Sequence, residues 1–415
     1  MLARALTFSA NCEDNFFEEI LAAPAVFLLR GEGEPYVSKT ANLRRRLQRL
    51  LGKPAEQSKR LNLRERVREI EFTLTGSDFE SQFLLYRLLR EAFPKTYSTR
   101  LRLRPAPLVK LHLENEYPRA SVTTRSGRIV QNDFGEARVL PVHAEATSTG
   151  EDARASTHRK GNLYYGPFPS RATAEKFAND ALDFFKMRRC VDDLHPDPSF
   201  PGCVYSEMKM CLAPCYKGCT DEEYKSEVFR VQAFFDTGGE SLNRELGEQR
   251  ERASARLAFE EAATIHIKLQ KLKHLVSQLP EVVQRINRLA AIIVQPSAEA
   301  GRVELFHFAN ATLRGPISFS IEQSGEPQSM ESRLHTLIET FPSPNADSAT
   351  EHTEHLAILK RWYYRSRRIG EIFFTDEKGT WPLRRIVRGI ARVYRGEKEQ
   401  ELASFSATEA HPASS

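Results

Sequence analysis

At 415 residues, with 40% hydrophobic residues and a formal net charge of +5, the chain has the length for about two to four domains and the apolar content for ordinary cores. No stretch approaches the ~18 uncharged apolar residues of a membrane span, and the acidic residues of "MLARALTFSANCEDNFFEEI" interrupt the run a secretory leader needs; both are excluded, and a cytoplasmic protein that meets no membrane is expected. The charge is unevenly placed, since residues 36–70 hold eleven Lys/Arg against three Glu, as expected where an anionic polymer is met.

In chain order, "PAVFLLRGEGEPYVSK" predicts a hairpin, "AVFLL" and "YVSK" joined by the turn signal "GEGEP". "TANLRRRLQRLLG" then sets Leu43, Leu47, Leu50 and Leu51 at helical spacing, with Gly52 at the helix end. "EIEFTLTG" reads as a third strand, and "SDFESQFLLYRLLREAF" as a second helix opened by Ser77 and Glu80 at capping-box spacing and closed before Pro94. These first hundred residues make a small α/β unit. "PLVKLHLENEYPRASVTTR" alternates like two strands, and a polar loop follows over residues 143–160. "YYGPFPS" is a tight turn leading into a helix, "RATAEKFANDALDFFKMRR". Five of the six cysteines (Cys190, Cys203, Cys211, Cys215, Cys219) then fall within thirty residues, a density that in a cytoplasmic chain points to metal rather than disulfides. Cys12, alone and distant, reads as a buried thiol.

Residues 238–276 carry a long helical pattern, and "LAAIIVQP", "VELFHFA" and "PISFSIE" predict a three-strand meander without a catalytic constellation. "FPSPNADSATEHTE" is linker-like, the last helical segments are basic, and "ASFSATEAHPASS" is a disordered tail. "LKRWYYRSRR" interleaves Trp362, Tyr363 and Tyr364 with Arg361, Arg365, Arg367 and Arg368, either a base-stacking surface or core aromatics at helical spacing.

This order of signals resembles the UvrC family of bacterial excision-repair nuclease subunits. The hairpin and arginine helix resemble its GIY-YIG domain, "YYGPFPS" its turn before the cysteine region, and "LAFEEAA" its UvrB-binding helical hairpin; the likeness covers roughly residues 20–285. The family's later RNase H-like and helix-hairpin-helix half is not apparent, so a truncated relative is expected. The resemblance implies an α+β multidomain chain: a degenerate GIY-YIG domain (1–104), a β-rich connector (105–165), a cysteine-rich region (166–237), a UVR-like helical hairpin (238–284), a C-terminal α+β part with the β-meander and basic helices (285–400) and the tail (401–415).

As the resemblance implies it, a GIY-YIG nuclease uses two tyrosines of the hairpin, an arginine of the first helix and a metal-binding glutamate of the second. Here Phe27 stands at the first tyrosine, Tyr36 and Arg46 are retained, Ser38 replaces a motif glycine and Leu85 replaces the glutamate. At ~100° per residue, Glu80 and Glu91 lie off the Leu85 face, and Asp78 lies about 10 Å along the axis. The expectation is an inactive fold whose residual catalytic positions are Tyr36 and Arg46, and which grips DNA phosphates through Lys39, Arg44, Arg45, Arg46 and Arg49. A solvated basic helix face is the competing reading. Mg²⁺ or Mn²⁺ would matter only to an active site.

Cys190, Cys203, Cys211 and Cys215, separated by twelve, seven and three residues, match the family's [4Fe-4S] pattern. Four thiolates suit Zn²⁺ equally, and Cys219 is an extra. "LAFEEAATIHIKLQKLKHL" presents Leu257, Phe259, Ala262, Ile265 and Leu269 toward a UvrB-like partner or toward this chain's own core, and His266 and Ile267 replace the family's Arg-Asp pair. DNA and a UvrB-type protein are the expected partners. The alternatives are an active excision nuclease with an atypical single-metal site, and a metal-stabilised scaffold with no DNA role.

Overall fold

The computed structural model describes residues 2–53, 60–131, 137–140, 161–322, 328–341, 348–376 and 378–397. β1 (Arg4–Thr7) precedes the expected hairpin, β2 (Ala25–Gly31) and β3 (Tyr36–Thr40), and α1 (Leu43–Leu51) and β4 (Val67–Leu74) follow. The sheet is antiparallel in the order β1-β4-β2-β3, which leaves β3 at an edge. Its register sets Leu29 opposite Tyr36, Phe27 opposite Ser38 and Val26 opposite Lys39. Asn42 caps α1, its side chain accepting from the Arg45 backbone N–H at 2.9 Å. Leu43, Leu47, Leu50 and Leu51 are all buried, in a core with Phe27, Leu29, Ile70 and Phe72.

The second helix, α2 (Asp78–Ala92), is capped by Ser77, which accepts from the Glu80 N–H. It packs elsewhere. Phe79, Phe83, Tyr86 and Leu89 repeat at helical spacing into a separate core that reaches to residue 372, with the Phe79 ring 5.0 Å from Phe306 and 5.1 Å from Trp362. At Gly76 a Cβ would lie 2.1 Å from the Pro296 carbonyl oxygen, so only glycine allows the C-terminal part to come this close. Packing therefore crosses the boundary drawn from sequence at residue 104.

After a short α3 (Tyr97–Leu101), β5 (Leu108–Leu111) and β6 (Ala120–Thr123) are the two expected strands. β7 (Arg128–Gln131) and β8 (Ala137–Leu140) pair with each other; the loop foreseen over 143–160 lies outside the described residues. β9 (Leu163–Gly166) contains both tyrosines read as turn, and α4 (Arg171–Leu182) ends well before the expected Arg189. The cysteine segment holds only α5 (Val204–Glu207) and a 3-10 turn, Pro214–Tyr216.

α6 (Asp221–Asp236), unforeseen, opens with a reciprocal capping box between Thr220 and Glu223. α7 (Glu240–Ala255) and α8 (Phe259–Ser277) then fold back as a hairpin through Leu257, whose φ is +60°. β10 (Gln284–Arg285) completes the sheet β10-β9-β5-β6.

The predicted meander is present as β11 (Ala291–Pro296), β12 (Arg302–Ala309) and β13 (Thr312–Ser320). It is followed by α9 (Met330–Thr340), α10 (Ala349–Tyr363), β14 (Glu371–Phe374) and α11 (Leu383–Arg395). β14 pairs with β11 to give the order β13-β12-β11-β14. Part of the stretch read as linker is the first turn of α10, capped by Ser348. Trp362 is buried, and Tyr363 and Tyr364 pack against the large core, with Trp362 Nε1 donating to the Ile369 carbonyl at 2.9 Å and Tyr364 Oη to the Pro167 carbonyl at 2.8 Å. The aromatics are core, not a stacking platform for bases.

Candidate functional sites: the hairpin edge and the cysteine segment

Strand pleating puts alternate residues of β3 on opposite faces, and this divides the expected site. Tyr36 leans on the core under α1, and its hydroxyl accepts a hydrogen bond from Arg46 Nη2 at 2.6 Å. Phe27 is fully buried beside it, with ring centroids 6.1 Å apart, and brings no hydroxyl. Leu85 is not their neighbour. It packs against the core shared by α2 and the C-terminal part, as does Val37 on the strand face opposite Tyr36, because α2 buries its aromatic stripe there. Ser38 stands in regular strand pairing and is not among the residues of positive φ, so its Cβ costs nothing here.

The five basic residues expected to grip phosphates fall into four groups. Arg44 ties down the loop before β2, its Nε donating to the Ile20 carbonyl at 2.7 Å and its Nη2 to the Glu18 carbonyl at 2.9 Å. Arg46 is held by Tyr36. Arg45 and Arg49 are exposed on α1. Lys39, on the α2 side of β3, bonds through Nζ to Asp78 Oδ1 at 2.6 Å, and Arg365 from just beyond α10 holds the other oxygen, Oδ2, at 2.5 Å. Burial holds the Lys39 ammonium below its ordinary value, Asp78 opposes this, and the charges of Arg361 and Arg365 add to the lowering. Asp78 itself is held below the usual carboxylate range: burial works against this, but Lys39, Arg365 and Arg361 outweigh it. Sequence reasoning missed this junction. Its only signal was the pair Arg361 and Arg365, four apart in a basic stretch.

Deeper in the same junction, Glu80 is 6% exposed and accepts from the Gly76 N–H at 2.8 Å. Burial pushes its carboxyl up to about 7; the Gly76 bond opposes that rise and the neighbouring Glu304 charge adds to it. Glu304 is likewise raised, mainly by burial.

In the cysteine segment, burial raises the Cys211 thiol to about 11, and Cys190, Cys215 and Cys203 push it further the same way. Cys215 is raised by burial and then by Cys203 and Cys190. The four therefore lie within one another's field, whereas Cys219 answers chiefly to burial, Glu223 and Asp221. Among the described residues no group of three or more His, Cys, Asp or Glu is close enough to hold a metal ion as placed. The donor chemistry nonetheless suits a thiolate-bound metal. Cys211 Sγ accepts the Ala213 N–H at 3.2 Å, and Arg188, 2% exposed, directs Nη1 to Cys190 Sγ at 3.4 Å, a buried cation beside sulfurs that would carry negative charge. Cys12 packs half-buried against the hairpin core, as a structural thiol does.

On the helical hairpin, Ile265 and Leu269 are 7% and 6% exposed and belong to the chain's own large core, with Ala262 packed against it. They do not face a partner. Leu257 and Phe259, at the tip, are 72% and 65% exposed, and Ile267 is 53% exposed. No helix among the described residues is long and apolar enough to cross a membrane.

Residues 142–234 match the family model described as UvrC/Cho excinuclease, middle domain. Over 322 residues the chain is 25% identical to the UvrABC system protein C of Alcanivorax borkumensis, covering 77% of this chain and 47% of that protein. It is 26% identical to the proteins of the same name from Idiomarina loihiensis, over 63% of this chain and 37% of that one, and Rickettsia africae, over 62% and 35%. The chain thus spans about half or less of the length of these curated relatives. No solved structure matches it. With the middle domain matched and relatives aligned well beyond it on both sides of the cysteine segment, the chain is similar to the UvrC proteins over most of its length.

Proposed function

We propose that this is a cytoplasmic DNA-binding protein of nucleotide-excision repair that works with a UvrB-type partner and no longer cuts DNA at its hairpin site. One observation carries the loss of incision. Arg46 and Tyr36 remain bonded, but their neighbour is the buried ring of Phe27 rather than a second hydroxyl. Strand cutting at such a site needs a group to take a proton from water and oxygen ligands for a divalent ion that offsets charge on the leaving oxygen. Phenylalanine supplies neither, Leu85 supplies no carboxylate, and Asp78 is engaged by Lys39 and Arg365. What survives is the ability to neutralise phosphates, through Arg45 and Arg49 on the open face of α1.

Two further parts belong to this reading. Cys190, Cys203, Cys211 and Cys215 would hold a [4Fe-4S] cluster, with Zn²⁺ the alternative four-thiolate occupant; when bound it would cross-link a segment that has little apolar core. Leu257 and Phe259, at the hairpin tip, offer the UvrB-type partner an apolar contact. The test is incubation with a bubble duplex and Mg²⁺ or Mn²⁺, reading binding and cutting together. Salt-sensitive binding without cutting is expected. Metal-dependent cutting that Arg46→Ala abolishes would establish the active-nuclease alternative, and absence of salt-dependent binding would leave the scaffold.

A further inference from the structure

We infer that Lys39, Arg361 and Arg365 form a phosphodiester site that joins the hairpin module to the C-terminal part, and that the Asp78 carboxylate occupies it until a nucleic-acid phosphate displaces it. The inference rests on the DNA-binding reading above and extends it to a surface that reading does not contain.

The two oxygens of Asp78 are held by cations from opposite ends of the sequence, Oδ1 by Lys39 Nζ at 2.6 Å and Oδ2 by Arg365 Nη1 at 2.5 Å. A phosphodiester presents two non-bridging oxygens in a comparable arrangement, and a guanidinium beside an ammonium suits it. Arg361 lines the same cleft as Asp78 and Arg365, so a third cation stands beside the carboxylate that Lys39 and Arg365 hold. The groups are also within reach of a ligand: the side chains of Arg365 and Asp78 are 48% and 41% exposed, and that of Lys39 is 24% exposed. Lys39 stands on β3, the edge strand, which leaves room for a backbone to run alongside. Trp362 is buried between Phe79 and Ile369, and this pins the end of α10, with Arg361 beside it and Arg365 four residues on, against the start of α2.

An internal carboxylate that mimics a phosphate competes with it, so removing its charge should strengthen binding, and misfolding cannot imitate a gain. Asp78→Asn keeps the shape and drops the charge. It should tighten binding of a fluorescent bubble duplex several-fold and steepen the salt dependence of affinity by about one phosphate contact. Arg361→Ala with Arg365→Ala should weaken binding of all duplex sequences alike, with a shallower slope. Arg45→Ala with Arg49→Ala tests the reading beneath. If that pair weakens binding while Asp78→Asn and the Arg361/Arg365 pair change neither affinity nor slope, the bridging site is overturned and the DNA-binding reading stands. If the unaltered protein shows no salt-dependent binding, both fall. Competition by polyglutamate as strong as that by unlabelled duplex would overturn the phosphodiester assignment.

Discussion

Helix α1 buries Leu43, Leu47, Leu50 and Leu51 and leaves Arg45 and Arg49 in solvent, whereas the cysteine segment leaves Val191, Phe200, Val204 and Met208 43–68% exposed while four thiols share one field. In the hairpin module the fold is secured by apolar packing, and the groups that would do chemistry are additions to it. Phe27 can replace a tyrosine there because the ring fills the core with or without its hydroxyl. In the cysteine segment, under the proposal that four thiols hold a metal, the functional groups would hold the structure themselves, so none could be exchanged without loss. A site can decay silently in the first kind of region but not in the second.

The sharpest way to break this contrast is Cys211→Ser. If the thiols hold a metal, stability should fall by more than about 4 kcal/mol, the range reached when a metal or a core network is lost. Bound iron and sulfide, or zinc, should vanish with it, and limited proteolysis should open residues 190–219. Cys219→Ser should do little. A Cys211→Ser protein that melts like the parent would show that packing, not a metal, secures the segment.

The next largest effect lies in the junction between α2 and the C-terminal sheet. The Glu80 carboxyl is raised from 4.5 to about 7 when folded, so the folded state holds a proton that the unfolded chain has released. Stability is full below about pH 4.5 and declines as pH rises to about 7, by about 3 kcal/mol in all. Glu304 adds a contribution of the same sign. Glu80→Gln keeps an oxygen for the Gly76 N–H. It should stabilise the protein by about 2–3 kcal/mol at pH 8 and flatten the profile between pH 5 and 8 in urea denaturation. An unchanged profile would mean the junction is already hydrated.

These two regions also separate what local sequence reports from what it does not. The strands β2, β3, β4 and β11 to β13, the leucines of α1 and the Ser77 cap were legible because alternation, helical spacing and caps are properties of neighbours along the chain. The capping box "TDEE" at Thr220–Glu223 would have revealed α6, had the cysteines not drawn that stretch into one irregular region. The destination of α2 was not legible. Its Phe79, Phe83 and Tyr86 stripe announces burial without naming the surface, and that surface, Phe306 and His355, lies more than two hundred residues on. Leu85 was therefore placed beside Tyr36 by sequence alignment and packs against the core of α2 instead.

Within the arginine helix, Arg44→Ala sharpens the contrast further. It removes two hydrogen bonds to the carbonyls of Glu18 and Ile20, and a loss of about 1–2 kcal/mol is expected in thermal unfolding. Duplex affinity should change far less than with Arg45→Ala and Arg49→Ala. Equal losses of affinity across all three would return Arg44 to the phosphate-binding set.

The smallest effect on stability belongs to the tip of the helical hairpin. Leu257 and Phe259 are 72% and 65% exposed, so replacing each with serine should move stability by less than about 0.5 kcal/mol, as surface changes away from packing do. Leu257 has a second constraint, its φ of +60°, a conformation that serine adopts no more readily, so the turn itself is left as it was. Ile265 and Leu269, on the same helix, are core, and Ile265→Ser should cost about 2–4 kcal/mol. If the tip docks a UvrB-type protein, the two serine variants should weaken that complex in titration calorimetry while their melting curves overlay the parent's. If the hairpin serves only this chain, neither variant will change the complex. The exposed tip and the buried stripe thus make opposite predictions from one hairpin, and the pair of measurements assigns each its role.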